Sequence, residues 1–528
     1  MKEIRKLPTP IRVKILAKLL KGYPDSDYIC DGFRHGFMLD FQGSEAPLSS
    51  DNSWSAVSQP EVVDEKLSQE AEKGRIAGPF SEAPFKNFKA SPLALRPKPE
   101  SGKFRLLHNL SYPYDLNSVN ANIPKEATHV QYSSIKDAIY RIQELGAKSY
   151  LAKADIADAF RLIPLHPSQY HLTGFYWKGY WYDMCLPMGC SQSCKIFERF
   201  SDAIQWILLK EFNIKTIKLL DDFLFVENSK ELCQKALSTF KWICEQVGIP
   251  IAEKKTAGPS NSLVFLGIEL DTVAMQARLP GDKLSLYKEE IVNTLEKNKI
   301  TLRELQSVIG RLQFATSVVS GGRPFLRRLY DLTIKVSKPH YKINLNQAAK
   351  EDLQIWLRFL DIYNGVSLIT PHYKADSASL HLYSDASKYG YGVTFGKAWF
   401  QGTWSPRWQQ FDITVLELYP IFMAMAIFGE SLAHHKVVFH CDNQAIVAIL
   451  NKQTSKSKPI MNIVRPLVCI LLSHDILFKA QHIPGVSNDL CDMLSRQVAT
   501  PDKLARYGMR PSPISIPDHI LPDNFIPH

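Results

Sequence analysis

Two aspartates, Asp221 and Asp222, stand side by side in "KLLDDFLFV", between apolar runs that otherwise read as a buried hairpin. An ionised carboxylate held in apolar surroundings costs several kcal/mol even after relaxation. The pair therefore marks an exposed turn, which Asp favours, or something positive sits on it. Asp155, at the end of the apolar strand in "KADIADAF", supplies a third acid that a sheet can bring to the same place. Two divalent ions about 3.5–4 Å apart on such a cluster would clamp the attacking and leaving oxygens of a phosphoryl transfer. Four further acids lie in the C-terminal third, each in its own element: Asp385 in "LYSDAS", Glu417 in "TVLELYP", Asp442 in "FHCDNQA" and Asp492 in "NDLCDMLSR". For any one of them the plain alternative is a solvated or capping residue.

Patterning shows the elements that must carry these acids. Thr9 as cap, Pro10 in the first turn and Gly22 as terminator bound a short amphipathic helix. Residues 42–60, rich in Ser and Pro, read as a linker. "PEVVDEKLSQEAEKG" is a helix closed by Gly74, followed by short strands at 93–96 and 104–107. "SYLAKADIADAF" is a strand running into a turn, and "GFYWKGYWYDMCLPMG" an aromatic hairpin. A helix over 191–212 has apolar residues at Ile196, Phe197, Phe200, Ile204, Ile207 and Leu208. After the Asp–Asp hairpin come a helix over 230–247 and a hairpin around "LVFLGIELD". Helices dominate 282–360, and strands return from 380.

At 528 residues the chain suits about three or four domains. With 45% hydrophobic and 22% charged residues it can bury ordinary globular cores. A net charge of +10 fits a phosphate-rich partner, although surplus surface lysines on a large protein give the same excess. Nine cysteines form no CxxC pair, and no histidines stand at zinc-finger spacing around Cys185, Cys190 and Cys194. Free thiols in a reducing compartment are expected. No apolar run reaches the ~18 residues of a membrane span, and the basic N-terminus lacks a secretory core. The expectation is a soluble intracellular protein without a membrane partner, in cytoplasm or nucleus.

"DIADAF", "LPMGCSQS", "LLDDFLFV", "GIPIAEKKT" and "FLGIEL" resemble, in order and spacing, the palm motifs of reverse transcriptases. "FRLLHNLSYPYDLNSVN" and "PEVVDEKLSQEAEKGRIAGPF" look most like the DIRS-like retrotransposons, which integrate with a tyrosine recombinase. The resemblance implies a right-hand polymerase of fingers, palm and thumb, an α+β and α/β multidomain chain. Asp155 and Asp221 would be metal ligands, with Asp222 as companion acid, for two Mg²⁺ per site or Mn²⁺ in their place. Phe160 would exclude a ribose 2′-hydroxyl, and Lys98 and Arg105 would grip the triphosphate. Met188 stands where retroviral enzymes carry Gln, Leu219 where Tyr is usual, and Asn109 where Asp is common. Lys255 is either the donor of a proton to leaving pyrophosphate or a solvated surface lysine. Implied partners are an RNA template, a DNA primer, dNTPs and an element-encoded tyrosine recombinase.

The four C-terminal acids, together with "HIPGVSNDLCDMLSR", resemble the carboxylate layout of ribonuclease H. That implies a mixed sheet with helices, in which Asp385, Glu417, Asp442 and Asp492 hold two Mg²⁺ and an RNA–DNA hybrid is cut. His482 aligns with the strand before the short loop holding Val486 and Ser487, and reads as a packed strand residue. Asn488 would help to position Asp492. Between the sites, Arg303, Arg311, Arg323, Arg327 and Arg328 either track a duplex backbone or belong to a solvated helix face. The segments are 1–60, an N-terminal helix and linker; 61–275, fingers and palm; 276–375, thumb and connection; 376–500, the ribonuclease H domain; and 501–528, an extended Pro-rich tail. Two function classes follow: a DNA polymerase with hybrid-specific ribonuclease, or a catalytically inactive nucleic-acid-binding scaffold keeping the fold.

Overall fold

The computed structural model describes residues 7–98, 102–319, 321–362, 380–433, 435–474, 476–525 and 527. The expected boundary at 375/376 lies outside the described residues. One unit holds Met1–Leu266 with Leu270–Ala274, the other Gly267–Glu269 with Met275–His528.

In the first unit, α1 (Val13–Leu19) starts later than Thr9 predicts, with Arg12 at its N-cap. The Thr9 hydroxyl is committed elsewhere, donating to Leu162 O at 2.8 Å. Residues 42–60 are no free linker. Leu48 bonds the backbone of Phe88 and Ala90, Ser50 Oγ donates to Ala90 O at 2.7 Å, and Asn52 Oδ1 accepts Leu93 N at 2.8 Å. The short polar side chains that read as flexible instead satisfy backbone groups. Next come α2 (Pro60–Glu72), β1 (Leu93–Pro97) and β2 (Phe104–His108), the last two an antiparallel pair.

The centre of this unit is built from β3 (Tyr150–Asp155), β4 (Gly174–Tyr176), β5 (Tyr180–Asp183), α3 (Ser193–Phe212), β6 (Thr216–Leu219), β7 (Asp222–Glu227), α4 (Lys230–Val247) and β8 (Ala257–Ser260). Four strands form one antiparallel sheet in the order β6-β7-β3-β8. The six apolar residues read from the α3 sequence are all at most 1% exposed, and each buried side chain of that size stabilises by about 1.5–3 kcal/mol. Ser229 Oγ caps α4 at Leu232 N, and Phe240 of α4 packs on Phe223 and Phe225 of β7 at 4.8 and 5.5 Å. The strand pair that carries the acids is thus backed by packed rings.

The second unit opens with α5 (Gly281–Leu295), α6 (Leu302–Ala315), α7 (Arg327–Thr333) and α8 (Gln347–Ile362). Three of its five singled-out arginines are held by acids of the same unit: Arg311 by Glu290, Arg327 by Asp331, and Arg328 by Asp352. Arg303 and Arg323 are exposed. Then come β9 (His381–Ala386), β10 (Gly390–Phe395), β11 (Ala398–Thr403), α9 (Ile413–Phe428), β12 (Lys436–Cys441), α10 (Gln444–Lys452), α11 (Lys458–Ser473), β13 (Leu477–His482) and α12 (Asp489–Ser495). The sheet order is β11-β10-β9-β12-β13, with β9 antiparallel to β10 and parallel to β12. Every residue of α9 from Val415 to Met425 is buried, as an all-round apolar helix must be.

The Pro-rich tail is not loose. Trp399 Nε1 donates to Arg510 O and Tyr419 OH to Ile520 O, at 2.8 and 2.9 Å, and Phe525 lies 5.2 Å from the rings of both Tyr419 and Phe422. Its prolines shape short turns, while Ile520 and Phe525 supply the apolar anchors. All nine cysteines are free, seven of them buried. No described helix is long and apolar enough to cross a membrane.

Candidate active sites

Asp155 ends β3 and Asp222 opens β7, and the two are direct partners in the antiparallel register. Between β6 and β7 only Leu220 and Asp221 make the turn, and the Asp221 carbonyl accepts Ile156 N at 3.0 Å. Asp155 is 4% exposed. Burial, then the charges of Asp221 and Asp155, push the Asp222 carboxyl up to about 6. Asp221 is also raised, by burial and by Asp155. Lys255 Nζ lies 2.7 Å from Asp155 Oδ2. Three crowded carboxylates against one ammonium fit divalent cations, and an all-oxygen donor set suits Mg²⁺ or Mn²⁺.

Asp155 and Asp221 open on a cavity of about 440 Å³ whose walls also include Lys98, Arg105, Met188 and Lys255; Asp222 is not part of the wall. Arg105 is close enough to favour the charged form of Asp221. Phe160 follows Ala159 of the cavity wall and packs edge-on against Phe197 at 5.7 Å. Leu219 ends β6 opposite Asp222, and Asn109 Nδ2 donates to Tyr114 OH at 2.9 Å. The same cavity is lined by a part-buried ionic chain that the sequence reading missed. Arg161 pairs with Glu70 at 2.8 Å and with Asp183 at 2.7 Å, and Asp183 meets His108 Nδ1 at 2.9 Å. It ties the turn after Asp155 to α2, β2 and β5; its one sequence signal is an arginine inside the apolar run "DAFRLIPL".

In the second unit, Asp385 lies on β9 and Glu417 on α9, 8% and 9% exposed. Asp442 directly follows β12, and Asp492 lies in the first turn of α12. Burial first, then Asp442 and Asp385, push the Glu417 carboxyl up to about 7, against a lowering hydrogen bond from Asn443. Asp385 is raised by burial, with Asp442 and Asp492 adding to it. Asp385 is thus within electrostatic reach of the other three acids. Ligand atoms of Glu417, Cys441 and Asp442 lie within 4.8 Å of each other.

Ser495, missed in the sequence, donates its hydroxyl to Asp385 Oδ2 at 2.6 Å. Asn488 is buried, donates to Ser384 O at 3.0 Å and offers its carbonyl to Asp492 N, joining α12 to the strand of Asp385. Asp492 Oδ1 accepts Arg496 Nε at 2.7 Å. His482 does lie on the strand, yet it is exposed rather than packed, with Nε2 3.1 Å from Asp442 O. It is the last residue of β13, the edge strand, and is flanked on one side only, by Cys441 of β12.

Residues 96–270, which hold the whole first acid group, match the family model described as reverse transcriptase (RNA-dependent DNA polymerase). The enzymatic polyprotein of Cassava vein mosaic virus is 22% identical over 370 residues, covering 66% of this chain and 52% of its own length. The Pro-Pol polyprotein of Simian foamy virus type 1 is 27% identical over 238 residues, 45% of this chain and 18% of that one. The chain thus spans about half of the first relative and under a fifth of the second. Among solved structures, a foamy viral protease-reverse transcriptase in complex with RNA/DNA hybrid aligns at a TM-score of 0.50 and 16% identity, covering 89% of this chain and 62% of that one. The fold class is that of polymerase fingers, palm and thumb with a mixed-sheet domain.

Proposed function

We propose that this chain is an RNA- and DNA-templated DNA polymerase with a hybrid-specific ribonuclease H, serving a retroelement. The observation that carries it is the single cavity in which Asp155 and Asp221 meet Lys98, Arg105, Met188 and Lys255, inside the segment matching the reverse transcriptase family. Asp155, Asp221 and Asp222 hold two Mg²⁺ in this reading, and Asp385, Glu417, Asp442 and Asp492 hold two more. Bound there, the ions stabilise charge on the attacking and leaving oxygens. Lys98 and Arg105 bind the triphosphate, Phe160 excludes a 2′-hydroxyl, and Lys255 gives a proton to the departing pyrophosphate. The RNA of the hybrid left by first-strand synthesis is the substrate of the second site.

Extension of poly(rA)·oligo(dT) with Mg²⁺, repeated with Asp221→Asn, tests the reading. Incorporation only by the unmutated chain supports it; no incorporation by either leaves the nucleic-acid-binding scaffold. The DIRS-like affiliation rests on the motifs around 61–80 and 104–120 and predicts a tyrosine recombinase encoded beside this chain. A DDE integrase there would instead assign an ordinary long-terminal-repeat element.

A further inference from the structure

We infer that Glu198 is the positioning residue of the Asp221–Asp222 turn and so governs how well Asp155, Asp221 and Asp222 gather divalent cations. This rests on the polymerase reading above. The β6–β7 connection is a tight two-residue turn of the kind that prefers Gly or Asn. Here its first residue is Leu220, at φ +53°, and an L side chain held in that region is strained. Leu220 N donates to Glu198 Oε2 at 3.1 Å. The other carboxylate oxygen, Oε1, accepts Lys218 Nζ at 2.6 Å, and Lys218 also pairs with Asp202 at 2.8 Å. Glu198 is 6% and Lys218 2% exposed. Glu198 stands on α3 between Phe197 and Phe200, both fully buried, so its carboxylate is carried by a helix packed into the core.

Stability alone does not account for this pair. Taking an ammonium and a carboxylate out of water costs about what their attraction returns, and an apolar pair of similar volume would serve the core as well. What the pair adds is a fixed acceptor for the amide immediately before Asp221. Lys218 holds that acceptor in place, and Asp202 shares the lysine's charge. The turn is thereby clamped in the conformation that sets Asp222 opposite Asp155.

Two variants of the full chain separate reach from charge. Glu198→Asp keeps the charge beside Lys218 and withdraws the oxygen from Leu220; Glu198→Gln combined with Lys218→Met keeps a full-length acceptor for Leu220 N and removes the ammonium that the amide NH2 would otherwise face. The readouts are hydrogen exchange of the peptide spanning 216–224 and the Mg²⁺ concentration giving half-maximal primer extension. In Glu198→Asp the Leu220 amide is expected to exchange about tenfold faster and the Mg²⁺ requirement to rise about fivefold, the loss of one buried hydrogen bond. Glu198→Gln with Lys218→Met is expected to stay within about twofold on both. Unchanged exchange and Mg²⁺ dependence in Glu198→Asp, or equal damage in the paired variant, overturns the inference. Should Glu198→Asp fold poorly, the paired variant must still retain both properties. An unmutated chain that extends no primer sinks the polymerase reading alone, because amide exchange still reports the clamp.

Discussion

Lys255 Nζ sits 2.7 Å from the carboxylate of Asp155, the acid that also faces Asp222 across the strand pair. One ammonium therefore occupies the position that a cation must share or take. Lys255→Met is expected to lower the Mg²⁺ concentration for half-maximal extension, since a competitor for Asp155 is gone. At saturating Mg²⁺ the same variant should lose about 10²-fold in turnover if the lysine delivers a proton. A titration of primer extension against Mg²⁺ reads both; unchanged turnover would assign Lys255 to charge balance only.

The two acid groups lie in separate units and should fail separately. Asp221→Asn is expected to cut DNA synthesis by a factor on the order of 10³ while hybrid cleavage persists, and Asp442→Asn to do the reverse. Labelled primer and labelled RNA strand, followed in parallel, separate the outcomes. Loss of both activities from either substitution contradicts the division into units.

Phe160 packs edge-on against Phe197 next to the cavity wall. Phe160→Ala is expected to raise incorporation of rNTP relative to dNTP by about tenfold or more, as excluded volume is removed. Single-nucleotide insertion with matched dNTP and rNTP measures the ratio, and an unchanged ratio assigns the ring to packing.

Ser495→Ala deletes the hydroxyl that donates to Asp385. That hydrogen bond lowers the Asp385 carboxyl against the effects of burial and its neighbours. Cleavage should fall about three- to tenfold at neutral pH, and the acid limb of the pH–rate profile should move to higher pH. A uniform loss at every pH would instead mean disturbed packing of α12.

In the metal-free chain Asp222 and Glu417 bind protons more tightly when folded, so protonation favours the fold. Stability conferred this way is lost as pH rises from 3.8 to about 6 for Asp222 and from 4.5 to about 7 for Glu417. Melting temperature should therefore fall on this account between about pH 4 and about pH 7, and saturating Mg²⁺ should restore more of it at the higher pH. Asp222→Asn together with Glu417→Gln should flatten the profile in differential scanning fluorimetry.

The acids, their strands and α3 were legible because each depends on local pattern. Apolar spacing set the helix, and an Asp pair between apolar runs set the hairpin. Side chains that work through partners distant in sequence were not legible. Lys218 interrupts "TIKLL" as an unexplained charge, but nothing local says that Glu198 waits for it on α3. Ser495 is an ordinary helix serine until the fold lays α12 against β9. His482 misled through burial: strand membership was right, but its side chain is exposed, whereas Ala480 of the same edge strand is buried. The Ser- and Pro-rich segment at 42–60 misled through composition, since the small polar residues that loosen a chain also bond well to neighbouring backbone; in the tail, Ile520 and Phe525 are anchors whose partners lie about a hundred residues away.

Because Trp399 and Tyr419 each give a hydrogen bond to the final stretch, and Phe525 lies against Tyr419 two positions along α9 from Glu417, the packing of the second unit does not stop at Asp492. A recombinant fragment stopped near residue 500 would bare aromatic rings to water and loosen the helix that carries Glu417. Under the proposed function, a protease cut in the 510–520 stretch is expected to lower hybrid cleavage while primer extension persists, with every acid of both groups intact.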